Sequence, residues 1–249
     1  MIDLHSHLLP GLDDGAEDLE ESLELARHYV AAGTTTVAAT PHVSHAYPTT
    51  SAEIERELLR VQAMVEAHGL LLTVVGGAEV ETDFLDELDA DEIARLTLGG
   101  RGRFLLLEFP YDGWSPSLPA AVERLDKLGI APVLAHPERN AVVQAGPQRL
   151  AGLVQSGALV QVTAGSLVGR FGRASEAAAR SLVATGLAQI VAGDLHSVGG
   201  RPTIDEAVRA LPKHHVRFLT SEAAASVLAG RRPVPSARAG RRLPWLGGR

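Results

Sequence analysis

The chain has 249 residues, of which 45% are hydrophobic and 21% are charged, a composition typical of one large globular domain. It contains no cysteine, which excludes disulfides, thiolate metal sites and catalytic thiols. Its 23 basic and 30 acidic residues give a formal net charge of −7, so we expect no nucleic-acid partner.

Short apolar segments alternate with helical patterns along the chain, and most of the apolar segments are apolar on both faces, as buried parallel strands are. The predicted strands are Ile2–His5, Thr34–Thr40, Leu70–Val75, Phe104–Leu107, Ala131–Ala135, Leu159–Thr163 and Gln189–Ala192. The predicted helices are Glu17–Ala32, Ser51–His68, short acidic helices within 83–97, Leu118–Leu128, Gln148–Gln155, Ala174–Thr185, Ile204–Leu211 and Ser221–Leu228.

This alternation favours a parallel sheet built from βα units. An open, doubly wound sheet is one alternative, but polar residues close nearly every predicted strand rather than only those at one crevice. In a barrel, the carboxyl ends of all strands meet at one mouth, where the active site lies. We therefore predict an α/β fold, a distorted seven-stranded (β/α)7 barrel of the TIM type, in one domain over residues 1–230.

Histidine and carboxylate side chains stand at the ends of these predicted strands. His5 and His7 lie two residues apart, so both imidazoles point the same way on an extended strand. Two neutral imidazoles that converge in this way are a frequent beginning of a divalent-metal site. The candidate metal ligands are His5, His7, Asp14, His42, Glu79, Glu108, His136, Asp194 and His196.

Each candidate ligand has a simpler explanation on its own, since a strand-end glutamate can be an ion-pair partner and Asp14 can be a turn residue. A chance occurrence of all nine is improbable. Nine nitrogen and oxygen donors are too many for one ion, and they fit two or three ions of Mn, Fe or Zn that share a carboxylate. Glu81 would share the direction of Glu79, but we prefer Glu79 as the shared ligand because it directly follows the Gly76-Gly77-Ala78 strand end.

Two arginines accompany the candidate ligands. Arg139 follows His136 by three residues, and Arg201 follows His196 by five. The planar guanidinium matches phosphate oxygens, and an arginine in a metal-rich mouth implies an anionic substrate. We therefore predict that Arg139 and Arg201 bind substrate and act in catalysis. The alternative is a structural arginine paired with a nearby acid such as Glu138.

Several strings in this chain resemble those of the polymerase and histidinol phosphatase (PHP) superfamily. The strings are Asp3-Leu-His-Ser-His7, Leu12-Asp-Asp-Gly15, Ala39-Thr-Pro-His42, Leu107-Glu-Phe-Pro110, Ala135-His-Pro-Glu-Arg139 and Gly193-Asp-Leu-His196. The His-Pro-Glu-Arg and Glu-Phe-Pro strings are specific to its bacterial branch of manganese-dependent tyrosine-protein phosphatases, which act in capsular and exopolysaccharide synthesis. The resemblance covers about residues 1–230 and implies a distorted (β/α)7 barrel with up to three metal ions.

The resemblance also implies how the ligands divide among the ions. The first ion would take His5, His7, Glu79 and Asp194; the second would share Glu79 and add Glu108 and His136; the third would take Asp14, His42 and His196. The implied activity is hydrolysis of phosphotyrosine, in the tail of a tyrosine autokinase that controls polysaccharide export, with Mn²⁺ as the expected ion.

Two other functions stay open. The same site could act on a small phosphate ester such as histidinol phosphate or a nucleotide. A non-catalytic metal-binding regulatory module is the alternative of another class, against which the nine ligands and two arginines argue.

The last 19 residues differ in composition from the rest, since 231–249 hold six arginines and no acidic residue. We predict a weakly ordered tail able to make weak contacts with a membrane surface or an acidic partner; an inert solvated end is the alternative. The sequence has no run of about 18 apolar residues and no signal-peptide pattern, so we expect a cytoplasmic protein.

Overall fold

The computed structural model describes residues 1–108 and 110–235. Within these ranges the strands are β1 (Ile2–Asp3), β2 (Thr36–Ala39), β3 (His42–Val43), β4 (Thr73–Gly76), β5 (Glu79–Glu81), β6 (Phe104–Glu108), β7 (Ala131–Ala135), β8 (Leu159–Thr163) and β9 (Ile190–Ala192). The α-helices are α1 (Leu19–Ala31), α2 (Ser51–Ala67), α3 (Ala90–Arg95), α4 (Leu118–Lys127), α5 (Ala141–Ala145), α6 (Ala151–Gln155), α7 (Ala164–Leu167), α8 (Gly172–Ala184), α9 (Ile204–Ala207) and α10 (Ala223–Leu228).

Every strand pair is parallel, and neighbours in space follow the order of the chain. One sheet has the order β1-β2-β4 and the other has the order β3-β5-β6-β7-β8-β9. Since β3 continues the path of β2, and β5 that of β4, the strands occupy the seven predicted positions. The predicted α/β fold with parallel strands is confirmed.

Hydrogen bonds also join the first strand position to the last. The amide of His7 donates to the carbonyl of Leu195 at 2.9 Å, and the amide of Asp194 donates to the carbonyl of His5 at 3.0 Å. A parallel bridge between Ser6 and Leu195 lies between these bonds. The first and last strand positions therefore lie side by side, and the sheet is divided where β2 and β4 end.

The core lies where strand side chains meet the inner faces of the helices. All five residues of β8 are buried, as are the first four of β6. Because the strands are buried on both faces, their sequences read as continuous apolar runs rather than as alternating patterns.

The helix bounds differ from the prediction at several ends. Thr50, not Ser51, is the N-cap of α2: its hydroxyl accepts from the Glu53 amide, and the Glu53 carboxylate accepts from the Thr50 amide. Ser51 is instead the first helical residue and donates to Glu92. The sequence also left out α5 and α7, because helices of four or five residues are too short to show a 3.6-residue period.

Much of the predicted tail lies outside the described residues, which end at 235. Arg232, near its start, donates to the carbonyls of Gly157 and Val154 at 2.9 and 3.4 Å, just after and within α6. The separation of a domain at 1–230 from a tail at 231–249 stays a prediction. Among the described residues, no helix has the length and apolar character needed to span a membrane.

Candidate metal centre at the strand ends

The breaks in the second and third strand positions place two candidate ligands. Pro41 has no amide hydrogen and interrupts the ladder between β2 and β3, so His42 begins β3. The carbonyl of Pro41 accepts from the amide of Glu79, which begins β5. His42 and Glu79 are therefore paired across neighbouring strands at the same level.

Backbone strain coincides with two other candidate ligands. His136 has a φ of 34° and Asp194 has a φ of 57°, and they are the non-glycine residues with positive φ in the described part of the chain. Each follows directly on, or within two residues of, the end of a strand, β7 for His136 and β9 for Asp194. A left-handed backbone is uncommon for residues other than glycine, although Asp and His adopt it more readily than most, and strained residues of this kind cluster at functional sites.

Glu79 lies at the centre of the cluster. Its Oε2 is 2.9 Å from His5 Nε2 and 3.3 Å from His42 Nδ1, and its Oε1 is 3.0 Å from His136 Nε2. The side chain is 1% exposed. With His7 Nε2 also 3.6 Å from Oε2, this buried carboxylate faces four imidazoles and has the geometry of a shared ligand.

Asp194 forms a second focus of the cluster. Its Oδ1 lies 3.3 Å from both His5 Nε2 and His7 Nε2. This buried oxygen meets no hydrogen-bond donor in good geometry among the described residues. A buried anionic oxygen without a donor is costly, and a cation would remove that cost.

All nine candidate ligands belong to at least one group whose donor atoms lie within 4.8 Å of one another. The groups are His7 with Asp14, His42 and His196; His5 with Glu79 and His136; His5 and His7 with Asp194; and His42 with Glu79 and Glu108. His42 therefore lies between the second and third of the implied ligand sets. Glu81 belongs to no group found in the described part of the chain, in keeping with the preference for Glu79.

Two residues that the sequence analysis missed orient the first pair of imidazoles. Asp13 Oδ2 lies 2.6 Å from His7 Nδ1, and Gln161 Oε1 lies 3.0 Å from His5 Nδ1. Such partners fix the ring and leave Nε2 directed at the cluster. Gln161 had a signal in the sequence, as a polar residue within the buried strand Leu159–Thr163; Asp13 was hidden by its neighbour Asp14.

Charge inside the cluster is balanced between carboxylates and imidazoles. Burial disfavours the charge of Glu79, yet His5 and His136 hold the pKa of its carboxyl well below the usual range. Burial also opposes protonation of His136 and His7, but the facing carboxylates raise the pKa of His136 to about 9 and that of His7 to about 10. The buried carboxylates are therefore stabilised by nearby positive charge, which protons on the imidazoles or bound divalent cations can supply.

The two arginines converge on Asp194 from different loops. Arg201 donates to the Asp194 carbonyl at 2.9 Å and forms an ion pair with its Oδ2. Arg139 Nη1 lies farther from that oxygen, at 3.4 Å. Glu138 does not hold Arg139: its Oε1 accepts from the amide and hydroxyl of Thr163 at 2.9 and 3.0 Å. Of the described acids, Asp194 rather than Glu138 is the one that Arg139 approaches.

Aromatic rings lie beside these guanidinium groups. The Cζ of Arg139 is 4.5 Å from the ring centroid of Tyr111 and 4.3 Å from that of Phe171, while Arg201 Cζ is 5.8 Å from Phe171. A Cβ on Gly165 would lie 2.6 Å from the Phe171 ring, so only glycine admits the ring in this position. Phe171 and Tyr111 were not predicted from the sequence, because their roles depend on contacts between distant segments.

The donor set fits divalent metal ions. Imidazole and carboxylate donors without thiolate suit Mn, Fe or Zn, and the donor atoms of each group are close enough to converge on one ion. Asp194 Oδ1, the buried oxygen that accepts no hydrogen bond from the described residues, faces this cluster. An arrangement of metal donors beside two arginines can bind a phosphoryl group and hydrolyse its ester.

Comparison with known proteins gives consistent matches. A family model described as capsular polysaccharide synthesis, CpsB/CapC, matches residues 1–226. The tyrosine-protein phosphatase YwqE of Bacillus subtilis (strain 168) is 36% identical over 202 residues, which are 81% of this chain and 79% of YwqE. The tyrosine-protein phosphatase CpsB of Streptococcus pneumoniae is 28% identical over 210 residues, 81% of this chain and 85% of CpsB.

Solved structures agree with the sequence matches. One from a study of YwqE from Bacillus subtilis and CpsB from Streptococcus pneumoniae, described as unique metal-dependent tyrosine phosphatases, has a TM-score of 0.81 and 31% identity. The match covers 94% of this chain and 99% of that chain. A β-aspartyl dipeptidase from Fervidobacterium islandicum AW-1, at a TM-score of 0.54 and 13% identity, shares the fold alone.

Proposed function

Because the chain belongs to the CpsB/CapC family of capsular polysaccharide synthesis, we propose that it is a metal-dependent tyrosine-protein phosphatase that hydrolyses phosphotyrosine in a protein. The observation that carries the proposal is the convergence of nine imidazole and carboxylate ligands with two arginines at one end of the strands. This arrangement unites metal donors with guanidinium groups that recognise phosphate.

The proposed ligands would hold up to three ions, with Glu79 shared between the first and second sets. The first set is His5, His7, Glu79 and Asp194; the second is Glu79, Glu108 and His136; the third is Asp14, His42 and His196. Bound divalent ions supply Lewis acidity and activate water for attack on phosphorus. We propose Mn²⁺ as the ion, with Fe or Zn as the alternatives that the same donors accept.

The arginines have different proposed tasks. Arg139 lies against the rings of Tyr111 and Phe171 and makes a longer contact with Asp194 than Arg201 does; it binds the phosphoryl oxygens and stabilises the charge that develops on them. Arg201 binds the same group from the other loop while it holds Asp194. The leaving group needs little protonation, because a tyrosine phenol has a pKa of about 10.

The proposed protein substrate is the phosphotyrosine tail of a tyrosine autokinase that regulates capsular or exopolysaccharide synthesis. The family description supports a role in capsule synthesis, and the tyrosine phosphatase relatives support phosphotyrosine as substrate. Autokinases use ATP, so the proposal places this enzyme in the cytoplasm. Its basic segment 231–249 would add a weak contact with an anionic membrane surface, which salt would screen.

The test compares substrates and metals in one assay. With Mn²⁺ supplied, phosphotyrosine peptides should be hydrolysed at a higher kcat/KM than phosphoserine peptides or histidinol phosphate. Chelation should abolish the activity, and Mn²⁺ should restore it. Thiol reagents should have no effect, since the chain has no cysteine. Full activity in protein shown by elemental analysis to lack metal would refute the proposal, and preference for histidinol phosphate would replace its substrate.

A further inference from the structure

An exposed aromatic ring borders the candidate metal centre on one side. Tyr111 is 42% exposed, although large aromatic side chains are usually buried more completely. Its ring stacks beside His136, with centroids 5.7 Å apart and planes 24° from parallel. The guanidinium of Arg139 also lies over this ring, at 4.5 Å. Tyr111 therefore adjoins both a candidate metal ligand and the proposed phosphate-binding arginine.

The backbone around Tyr111 is held in place despite this exposure. Asn140, only 2% exposed, donates from Nδ2 to the carbonyl of Pro110 at 2.6 Å and to that of Gly113 at 2.7 Å. The carbonyl of Tyr111 accepts from the amide of Ala141 at 2.9 Å. The loop is thus fastened on both sides of Tyr111, so its ring is presented at the mouth with little conformational freedom left to lose on binding.

The position of this ring bears on the part of the substrate that leaves. In a phosphate ester bound to Arg139, one bridging oxygen joins the phosphorus atom to the organic group. Because Arg139 lies against Tyr111, that organic group comes close to the Tyr111 ring. An aryl ester brings an aromatic ring to this place, and paired aromatic rings attract each other beyond the effect of buried area alone. A short alkyl ester, such as that of phosphoserine, has no ring to place there.

We propose that Tyr111 is a specificity-determining residue whose ring forms one wall of an aryl-binding site, so that aryl phosphates are preferred over alkyl phosphates. The proposal rests on the proposed phosphatase function and names the residue that selects its substrate class. Tyr111 acts by direct contact with the leaving group rather than through the metal ions.

The first experiment measures kcat/KM for p-nitrophenyl phosphate and phosphoserine in the metal-loaded wild type, Tyr111→Phe and Tyr111→Leu. We expect Tyr111→Leu to lower kcat/KM for the aryl ester about 3- to 10-fold, mainly through KM, the size of one aromatic contact. The value for phosphoserine should change less than about twofold on the same grounds. Tyr111→Phe, which keeps the ring, should retain the wild-type ratio.

A second measurement separates binding from chemistry. Phenylphosphonate and inorganic phosphate are tested as competitive inhibitors, with metal content checked by elemental analysis. Tyr111→Leu should raise the inhibition constant of phenylphosphonate and leave that of inorganic phosphate unchanged. Tyr47 provides the matched control, because its ring stacks on His42 at 5.8 Å and no described arginine lies over it. Tyr47→Leu should keep the wild-type ratio of the two inhibition constants.

Each outcome decides between the proposals. A wild type that hydrolyses neither ester refutes the phosphatase function, whereas an active, aryl-selective wild type with an unchanged ratio in Tyr111→Leu refutes only the role of Tyr111. Equal weakening of phenylphosphonate binding and phosphate binding would also overturn that role, since it indicates a general disturbance of the site. If Tyr111→Leu loses metal, Tyr111→Met, which keeps an unbranched apolar side chain beside Arg139, carries the same test.

Discussion

Asp194 joins three kinds of interaction in a single residue. One carboxylate oxygen faces three imidazoles, the other faces two guanidinium groups, and the backbone carbonyl accepts from Arg201. Its left-handed backbone turns the side chain away from the path of β9 into this position. Gly193 next to it has no room for a side chain, because a Cβ there would lie 2.7 Å from Asp3 Oδ2.

The unequal contacts of the two arginines predict unequal effects of their removal. Arg139→Ala should lower kcat/KM roughly 30- to 1,000-fold, because it removes a charge-assisted contact that strengthens in the transition state. This change corresponds to a loss of about 2–4 kcal/mol of transition-state stabilisation. Its metal content should stay the same. Arg201→Ala should in addition weaken Mn²⁺ binding about 10- to 100-fold, because Arg201 holds the ligand Asp194.

Matched lysine variants and Mn²⁺ titrations provide the controls. Arg139→Lys should recover only part of the activity, since a point charge replaces a two-pronged donor. Near-normal kcat/KM in metal-loaded Arg139→Ala would reject its catalytic role. Unchanged Mn²⁺ affinity in Arg201→Ala would show instead that Arg201 serves the substrate alone.

For individual residues, the sequence predicted the candidate ligands that lie at strand ends. It did not predict the residues that contact the metal centre from other parts of the chain. His136 and Asp194 could be found because each directly follows a strand or nearly so, and parallel strands end at one face. Gln161, Tyr111 and Phe171 act through packing between segments far apart in the chain, which local patterns do not encode.

The turn that follows β7 shows how one element organises its neighbours. Pro137–Arg139 form a 3₁₀ turn, and Asn140 then serves as the N-cap of α5, with Oδ1 accepting from the amides of Val142 and Val143. The other end of the same side chain holds the loop at 110–113. One buried amide thus connects the loops that leave β6 and β7.

Asn140→Ala should therefore destabilise the protein more than an ordinary cap substitution. Loss of an N-cap costs about 0.5–2 kcal/mol, and each of the two lost hydrogen bonds to the loop carbonyls adds about 0.5–1.5 kcal/mol. We expect a decrease of about 2–4 kcal/mol in the free energy of unfolding, measured by urea denaturation of the metal-free protein. Thr50→Ala, at the exposed cap of α2, serves as the control and should cost only about 1 kcal/mol. Equal losses in both variants would show that the loop contacts contribute nothing.

The order of elements was easier to predict than their ends. Seven strand positions emerged because each buried strand is a continuous apolar run between turn residues. The sequence did not predict the breaks after β2 and β4, because they depend on where neighbouring strands stop pairing. Short helices such as α5 are fixed by a cap and by tertiary contacts rather than by periodicity.

For the whole molecule, metal uptake and protonation are coupled. In the metal-free protein, carboxylates raise the pKa of His136 to about 9 and that of His7 to about 10, so both rings are protonated at pH 7. Metal ligation needs neutral imidazole, so Mn²⁺ binding at pH 7 should release protons, and its apparent affinity should rise with pH up to about 10. Calorimetry in buffers of different ionisation enthalpy measures the number released; a value of zero would contradict the prediction.

The same shifts set the stability of the metal-free protein. A raised histidine pKa contributes stability that is complete below the unfolded value of about 6.5 and is lost as pH rises through the folded value. Between about pH 7 and 10 the metal-free protein should therefore lose stability that the metal-loaded protein keeps. Denaturant midpoints measured with and without Mn²⁺ across this window check the sign.

The hydrogen bonds that join residues 5–7 to residues 194–195 have a consequence for biosynthesis. The ribosome makes Asp194 and His196 long after His5 and His7, because most of the domain separates the two pairs in the sequence. A nascent chain that has reached α8 holds two of the imidazoles without the strand that completes their surroundings. The first and third proposed ligand sets can therefore be completed only after β9 and the loop that follows it are made, whereas Glu79, Glu108 and His136 of the second set all precede β9 in the chain.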